Sequence, residues 1–391
     1  MTPARTITAI DCFKVPPRWL LVRVTVDDGA VGWGEAIVPK RAAAVGGAVS
    51  DLARNVVGRD ANRVEDLWQR MLRGGFFRGG PVLATATAAI EQALWDLKAR
   101  AAGLPIHEFL GGPVRDRIRS YAWIGGDRPE DVVAGARERI AQGFTAVKMN
   151  ATEAVDHLER HGLIDAVLGR VSALRDAFGD SLDIALDFHG RVPRTAARVL
   201  VKELEPYRLL WVEEPGTPGS EATLAELART GTSVPIATGE RLTSRWDFLP
   251  LLQAGVVDIL QPDVSLTGIF ELVKIAAMAE PYDVVVAPHC PNGPVSLAAS
   301  LQVGFCCPNI VIQEQSAGIH YHQGYAGLPA ADLHDYLRDP APLRCADGSF
   351  VLGTEPGLGI ELDEDKIAAS VADWQLPDPD WRHDDGRYAE W

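Results

Sequence analysis

Six stretches of the chain end in residues that can carry a charge or a proton. Asp187 and His189 lie in ALDFHGR, and Glu213 lies in VEEP. Glu240 lies in GER, Asp263 in LQPD, His289 in APHC and Glu314 in QEQ. From Asp187 the steps are 26, 27, 23, 26 and 25 residues, and Lys148 and Asn150 end the preceding run AVKMN. Five carboxylates and two histidines brought together would repel strongly without a cation. Asp187, Glu213 and Glu240 fall on successive runs and could hold one. An all-oxygen set of hard ligands favours Mg²⁺. A histidine beside it could move a proton.

Each residue also has a plainer reading. Asp187 and His189 share one side of a strand by its two-residue repeat. Alone they are either a metal ligand beside a proton carrier or a surface pair. A single acid at a strand end is commonly a helix N-cap. Asp263 and His289 could be a buried pair, and Glu214 alternates away from Glu213 and reads as structural. The repeated spacing makes the whole set read as a site.

That spacing is the length of one strand plus one helix. The short apolar runs SYAWI, AVKM, IALDF, LLWVEEP, PIATGE, VDILQPD, VVVAPH and IVIQEQ alternate with longer helical stretches from about Ile118. Largely apolar runs of this kind suit parallel strands buried on both faces. Eight β/α units match a closed barrel, whose strand C-termini converge on one mouth. Before it, the first 40 residues read as strands, with a hairpin turn at Asp28-Gly29. Helical patterning follows from about Arg41 and stops at Gly103. The expected division is an α+β unit over 1–117, a barrel over 118–352, and a segment 353–391 that packs back onto the first unit.

Composition narrows the function classes. Of 391 residues, 47% are hydrophobic and 23% charged, as in soluble globular proteins. The net charge of −15 argues against nucleic acid or an anionic membrane as partner. No run approaches the ~20 apolar residues of a spanning helix. The N-terminal stretch has no apolar leader core, so a cytoplasmic chain is expected. The cysteines Cys12, Cys290, Cys306, Cys307 and Cys345 are odd in number and form no CxxC pair, which suits a reduced compartment. HLERH, from His157 to His161, lacks the HExxH order and reads as helix surface. GGFFRGGP, from Gly74 to Pro81, matches neither phosphate-loop pattern.

Over nearly its whole length the sequence resembles the enolase superfamily, mandelate racemase subgroup, and within it the D-galactonate dehydratase family. The resemblance is carried by PPRW, GWGEA, RGGFFRGGP, QALWDLKA, AVKMN, LDFHGRV, VEEP, GER, LQPD, APHCPNGP, QEQSAGIHY, PGLGIEL and the tail WRHDDGRYAEW. The fold it implies is α/β: a (β/α)₇β TIM-like barrel under an α+β N-terminal capping domain completed by the C-terminal segment.

The resemblance also implies roles. Asp187, Glu213 and Glu240 match the Mg²⁺ ligands. His289 matches the base that takes the α-proton, and Asp263 matches its partner. Glu314 and Lys148 match groups that steady the substrate carboxylate as it becomes an enediolate. Asn150 stands where racemases carry a second base and is expected to bind substrate. His189 matches the acid that serves the departing 3-hydroxyl. The implied activity is Mg²⁺-dependent dehydration of an acid sugar, D-galactonate, in a homo-oligomer. Another aldonate dehydratase or an epimerase stays open, as does a non-catalytic homologue, against which the complete set of acids stands. Departures include Thr267 before Gly268, a residue inserted near Gly231-Thr232, and Ala36-Ile37-Val38 in the cap. In this superfamily, cap loops such as those near Arg18 and Arg78 are expected to select the sugar.

Overall fold

A computed structural model describes residues 4–152, 155, 161–219, 221–324, 327–378, 380–383 and 385–390. Residues 157–160 of the HLERH stretch lie outside the described residues.

The chain opens with an antiparallel sheet of β1 (Ile7–Val15), β2 (Trp19–Val26) and β3 (Val31–Ala36). The turn between β2 and β3 holds Asp28-Gly29, with Gly29 at φ +83°, as the hairpin signal predicts. Helices α1 (Ala42–Val56) and α3 (Pro81–Ala102) cover this sheet, and α2 (Val64–Arg73) packs on both of them. α3 stops at Gly103, which adopts the left-handed conformation.

Eight parallel strands follow: β4 (Arg117–Trp123), β5 (Ala146–Asn150), β6 (Asp183–Asp187), β7 (Trp211–Glu213), β8 (Ile236–Thr238), β9 (Ile259–Leu260), β10 (Val285–Val286) and β11 (Gln313–Glu314). They alternate with α4 (Pro129–Ala141), α5 (His161–Phe178), α6 (Arg194–Glu203), α7 (Glu221–Arg229), α8 (Arg245–Ala254), the pair α9 (Val264–Thr267) and α10 (Ile269–Ala279), and α11 (Pro294–Gly304). The eighth strand leads into a 3₁₀ turn, so the order is (β/α)₇β. The sheet runs from β10 through β4 to β11, and a parallel bridge between Val286 and Ile310 joins its ends into a ring. A short β12 (Ser349–Val351) pairs antiparallel with β4, and α12 (Glu364–Ser370) packs on β1.

The barrel interior is filled by Tyr121, Ala146, Ala185, Trp211, Ala237, Ile259, Ala287 and Ile312. Four alanines make room for two aromatic rings, whose centroids lie 5.4 Å apart. Strand alternation sets what lies above them. Two residues on from Ala146, Ala185, Trp211, Ala287 and Ile312 come Lys148, Asp187, Glu213, His289 and Glu314, which therefore face the mouth.

Glu240 breaks this parity, lying three residues beyond Ala237. The intervening Gly239 has φ +134°, and a Cβ there would meet the Phe248 ring at 2.5 Å. A glycine is required for that turn.

Candidate active site

A cavity of about 360 Å³ opens at the strand C-termini. Lys148, Asn150, Asp187, His189, Glu240, His289 and Glu314 line it, and Arg18, His320, Tyr321 and Trp381 border its rim. Glu213 and Asp263 sit behind the lining, both buried. The structure thus gathers every site residue expected from sequence around one mouth. Glu214 faces a separate cavity of about 470 Å³ beside Arg241, 2.7 Å from its guanidinium. Arg78 does not reach the mouth. It borders a third cavity of about 710 Å³ between the cap helices and the loop after β8, because the 74–80 loop turns outward.

Asp187, Glu213 and Glu240 each bring one oxygen into a group whose members all lie within 4.8 Å of one another. Burial, then the Glu213 charge, pushes Asp187 well above the usual carboxylate range. Three crowded carboxylates with hard oxygen donors fit a divalent cation such as Mg²⁺. Lys148 offsets part of the charge: its Nζ lies 3.0 Å from Glu213 Oε1 and 2.7 Å from Glu314 Oε1. Burial lowers the Lys148 ammonium, but Glu213 and Glu314 outweigh it and hold the pKa above the ordinary lysine value. Trp211 Nε1 donates to the other Glu213 oxygen at 3.1 Å.

His289 Nδ1 lies 2.8 Å from Asp263 Oδ2, which leaves Nε2 toward the cavity, 3.3 Å from Glu240 Oε2. Burial lowers this imidazole, yet Glu240, Glu314 and Asp263 bring it to about 10. A cation held by Glu240 would remove the largest of those pulls. Asp263 is itself fixed by the Ser265 amide at 2.7 Å and by Asn292 Nδ2 at 3.0 and 2.9 Å.

His189 has φ +54° just past β6, and its amide donates to Asp187 Oδ1 at 2.6 Å. Arg191 Nη2 lies 2.9 Å from His189 Nδ1. Arginine can only donate, so Nδ1 accepts and the neutral ring carries its proton on Nε2. Burial, with Arg191 and Arg241 nearby, lowers this imidazole to about 4 against the opposing pull of Glu240. Arg241 also donates to the His189 carbonyl at 3.0 Å.

Sequence reasoning passed over Arg191, Arg241, Asn292 and Glu35. Glu35 lies in the quoted GWGEA, but no spacing ties it to α11. There it accepts the amides of Gly293, Val295 and Ser296. A second cap acid, Glu91, likewise accepts the Ile269 and Phe270 amides at the start of α10.

Residues 131–366 match the family described as enolase C-terminal domain-like, and residues 11–111 match the mandelate racemase / muconate lactonizing enzyme N-terminal domain. The chain belongs to the mandelate racemase / muconate lactonizing enzyme group of the enolase superfamily. Members similar to it include the D-galactonate dehydratase of Ralstonia pickettii (strain 12J), 48% identical over 98% of this chain and 100% of the relative. The D-galactonate dehydratase of Ralstonia nicotianae is 47% identical with the same coverage. A superfamily enolase from Agrobacterium radiobacter, solved with bound Na and L-malate, superposes with a TM-score of 0.87 at 30% identity, over 98% of this chain and 99% of that one.

Proposed function

We propose that the chain is a Mg²⁺-dependent hydro-lyase that converts D-galactonate to 2-dehydro-3-deoxy-D-galactonate and water. One observation carries the reading: a three-carboxylate cluster, an Asp263-bound His289 and an Arg191-bound His189 all meet in one cavity. Full-length similarity to two D-galactonate dehydratases supports the substrate.

An α-proton beside a carboxylate is barely acidic, because its removal places a second negative charge on that carboxylate. Asp187, Glu213 and Glu240 would hold Mg²⁺, which when bound supplies Lewis-acid stabilisation of that charge. The Lys148 ammonium and Glu314 steady the same carboxylate. His289 Nε2 takes the C2 proton, with Asp263 orienting the ring. Asn150 cannot take a proton and serves as a substrate contact. His189, once charged by a proton from solvent, passes its Nε2 proton to the 3-hydroxyl, which leaves as water as the C–O bond breaks and the C2–C3 double bond forms, and His289 returns the C2 proton to solvent. The enol then tautomerises to the 2-keto acid, so the atoms balance as loss of one water.

The reading includes a capping unit over 1–117, a barrel over 118–352 and a returning segment 353–391. Contacts of that segment with β1 support it: Ala372 N donates to Lys14 O at 3.1 Å, and Lys14 pairs with Asp373 at 2.6 Å. No helix among the described residues is long and apolar enough to cross a membrane. We place the enzyme in the cytoplasm as a homo-oligomer. Phe76 and Phe77, 92% and 88% exposed at the tip of a cap loop, are large apolar groups that an interface would cover.

Incubation with Mg²⁺ and a panel of aldonates, reading 2-keto-3-deoxy acid, tests the reaction. Turnover of D-galactonate supports it. Turnover of another aldonate alone would overturn the substrate, and no turnover of any acid sugar would overturn the class. Solvent deuterium at C2 without keto acid would mark an epimerase. Sedimentation analysis tests the oligomer.

A further inference from the structure

We propose that Trp381, carried to the barrel mouth by a C-terminal hairpin, is a specificity-determining residue. It forms the wall against which the hydroxylated chain beyond C3 of the acid sugar packs. The inference rests on the dehydratase reading and extends it to the far end of the substrate.

The route of the tail is anchored along its length. Beyond the Lys14 contacts, Trp374 is buried, with Lys14 Nζ 5.3 Å from its ring centroid. Leu376 is buried and borders the mouth cavity. Arg41 then holds Asp378 through both terminal nitrogens at 3.1 Å. Past this point the chain folds on itself. Arg382 and Tyr388 form an antiparallel bridge, and Ala389 N donates to Trp381 O at 3.0 Å. His383 N donates to Arg387 O at 2.9 Å, and Gly386 at φ +86° makes the turn. The Arg382 guanidinium lies 4.0 Å from the Tyr388 ring centroid.

Among the described residues of this hairpin, Trp381 lines the mouth cavity. Its ring centroid is 5.1 Å from Arg191 Cζ. Arg191 is buried, reaches Thr152 O at 2.8 Å and His189 Nδ1 at 2.9 Å, and has a buried Nε without a hydrogen-bond partner. Outward from His189, which serves the C3 hydroxyl, the order is therefore Arg191 and then Trp381. A sugar-acid chain offers C–H edges alongside hydroxyls. An indole face receives the first, and the Arg191 guanidinium edge can donate to the second. A three-carbon acid would end before reaching the tryptophan.

The test uses the full chain loaded with Mg²⁺. In a His289→Asn background, where turnover is blocked, calorimetry compares D-galactonate with D-glycerate, which has the same first three functional carbons. Trp381→Ala is expected to weaken D-galactonate about tenfold and to leave D-glycerate within about twofold. Trp381→Phe should recover most of the loss. With His289 intact, Trp381→Ala should raise KM for D-galactonate more than it lowers kcat. Equal weakening of both acids would overturn the proposal, since it marks a structural role alone. Unchanged D-galactonate affinity would overturn it as well. If the unsubstituted enzyme turned over no aldonate, the dehydratase reading itself would fall, a result visible before any tail variant is made.

Discussion

The Glu35 carboxylate on cap strand β3 accepts the backbone amide of Gly293 in the barrel, Oε1 to N at 2.6 Å. Its other oxygen takes the Val295 and Ser296 amides at 3.1 and 3.0 Å. These are orphan donors of the first turn of α11, so a cap residue closes a barrel helix. A Cβ on Gly293 would meet Glu35 Oε1 at 2.6 Å. Asn292, one residue earlier, holds Asp263, and Asp263 holds His289. The cap thus reaches the proposed base through three consecutive contacts.

Glu35→Ala should therefore cost about 3 kcal/mol of stability through buried unpaired amides. It should also lower kcat more than it raises KM. Chemical denaturation and steady-state kinetics check both, and a variant that is destabilised with unchanged kcat would uncouple the cap from His289.

The two histidines should separate kinetically. His289→Asn is expected to abolish exchange of the C2 hydrogen with D₂O and to cut dehydration by about a hundredfold to ten-thousandfold. His189→Asn should stop dehydration while exchange at C2 persists. NMR of recovered substrate reads both. Intact dehydration in the His189 variant would remove it from its role.

Mg²⁺ should stabilise the folded chain by about 2.7 kcal/mol at a hundredfold excess over its dissociation constant. Glu240→Gln should erase most of that gain, and a chelator should abolish turnover. Thermal unfolding with and without Mg²⁺ measures the effect. An equal gain in the variant would place the ion elsewhere.

Asp332 predicts a pH dependence on the loop after β11. It accepts His322 Nδ1 and the Leu333 amide, each at 2.7 Å. Burial raises its carboxyl, but these hydrogen bonds outweigh that and bring it from 3.8 to about 2. A depressed carboxylate stabilises the fold above its unfolded value and loses that contribution as pH falls toward its folded one. Asp332→Asn should thus be less stable than the parent at pH 7, by less than about 1 kcal/mol because the side chain is half exposed. The gap should close between pH 4 and 2. Denaturation midpoints across that range decide it, and a gap that widens on acidification would contradict the assignment.

The barrel and its ring of polar residues were legible because a β/α unit repeats at near-constant length. Lys148, Asp187, Glu213, His289 and Glu314 also keep the strand's two-residue alternation. Glu240 was legible from spacing alone, since the turn at Gly239 that restores its direction belongs to the folded chain. Glu35, Asn292 and Arg191 left no such trace. They act through hydrogen bonds to residues far along the chain or on neighbouring loops, and no periodicity encodes those pairings. Arg78 was expected near the sugar by likeness, and the outward path of its loop puts it beside another cavity. The tail was recognisable as a motif, but its approach to the mouth depends on anchors at Lys14 and Arg41, more than 300 residues earlier.

His189 follows β6 and His289 follows β10, and four steps separate those strands in a ring of eight. The proposed acid and base therefore stand across a diameter of the mouth. A substrate pinned between them would lose its hydrogen and its hydroxyl from opposite faces, making the elimination anti. An epimer at C2 would turn its hydrogen away from His289 and toward the wrong wall. Stereochemical choice at C2 and C3 is then a property of strand order, inherited with the barrel itself, while the loops are left free to discriminate among longer chains.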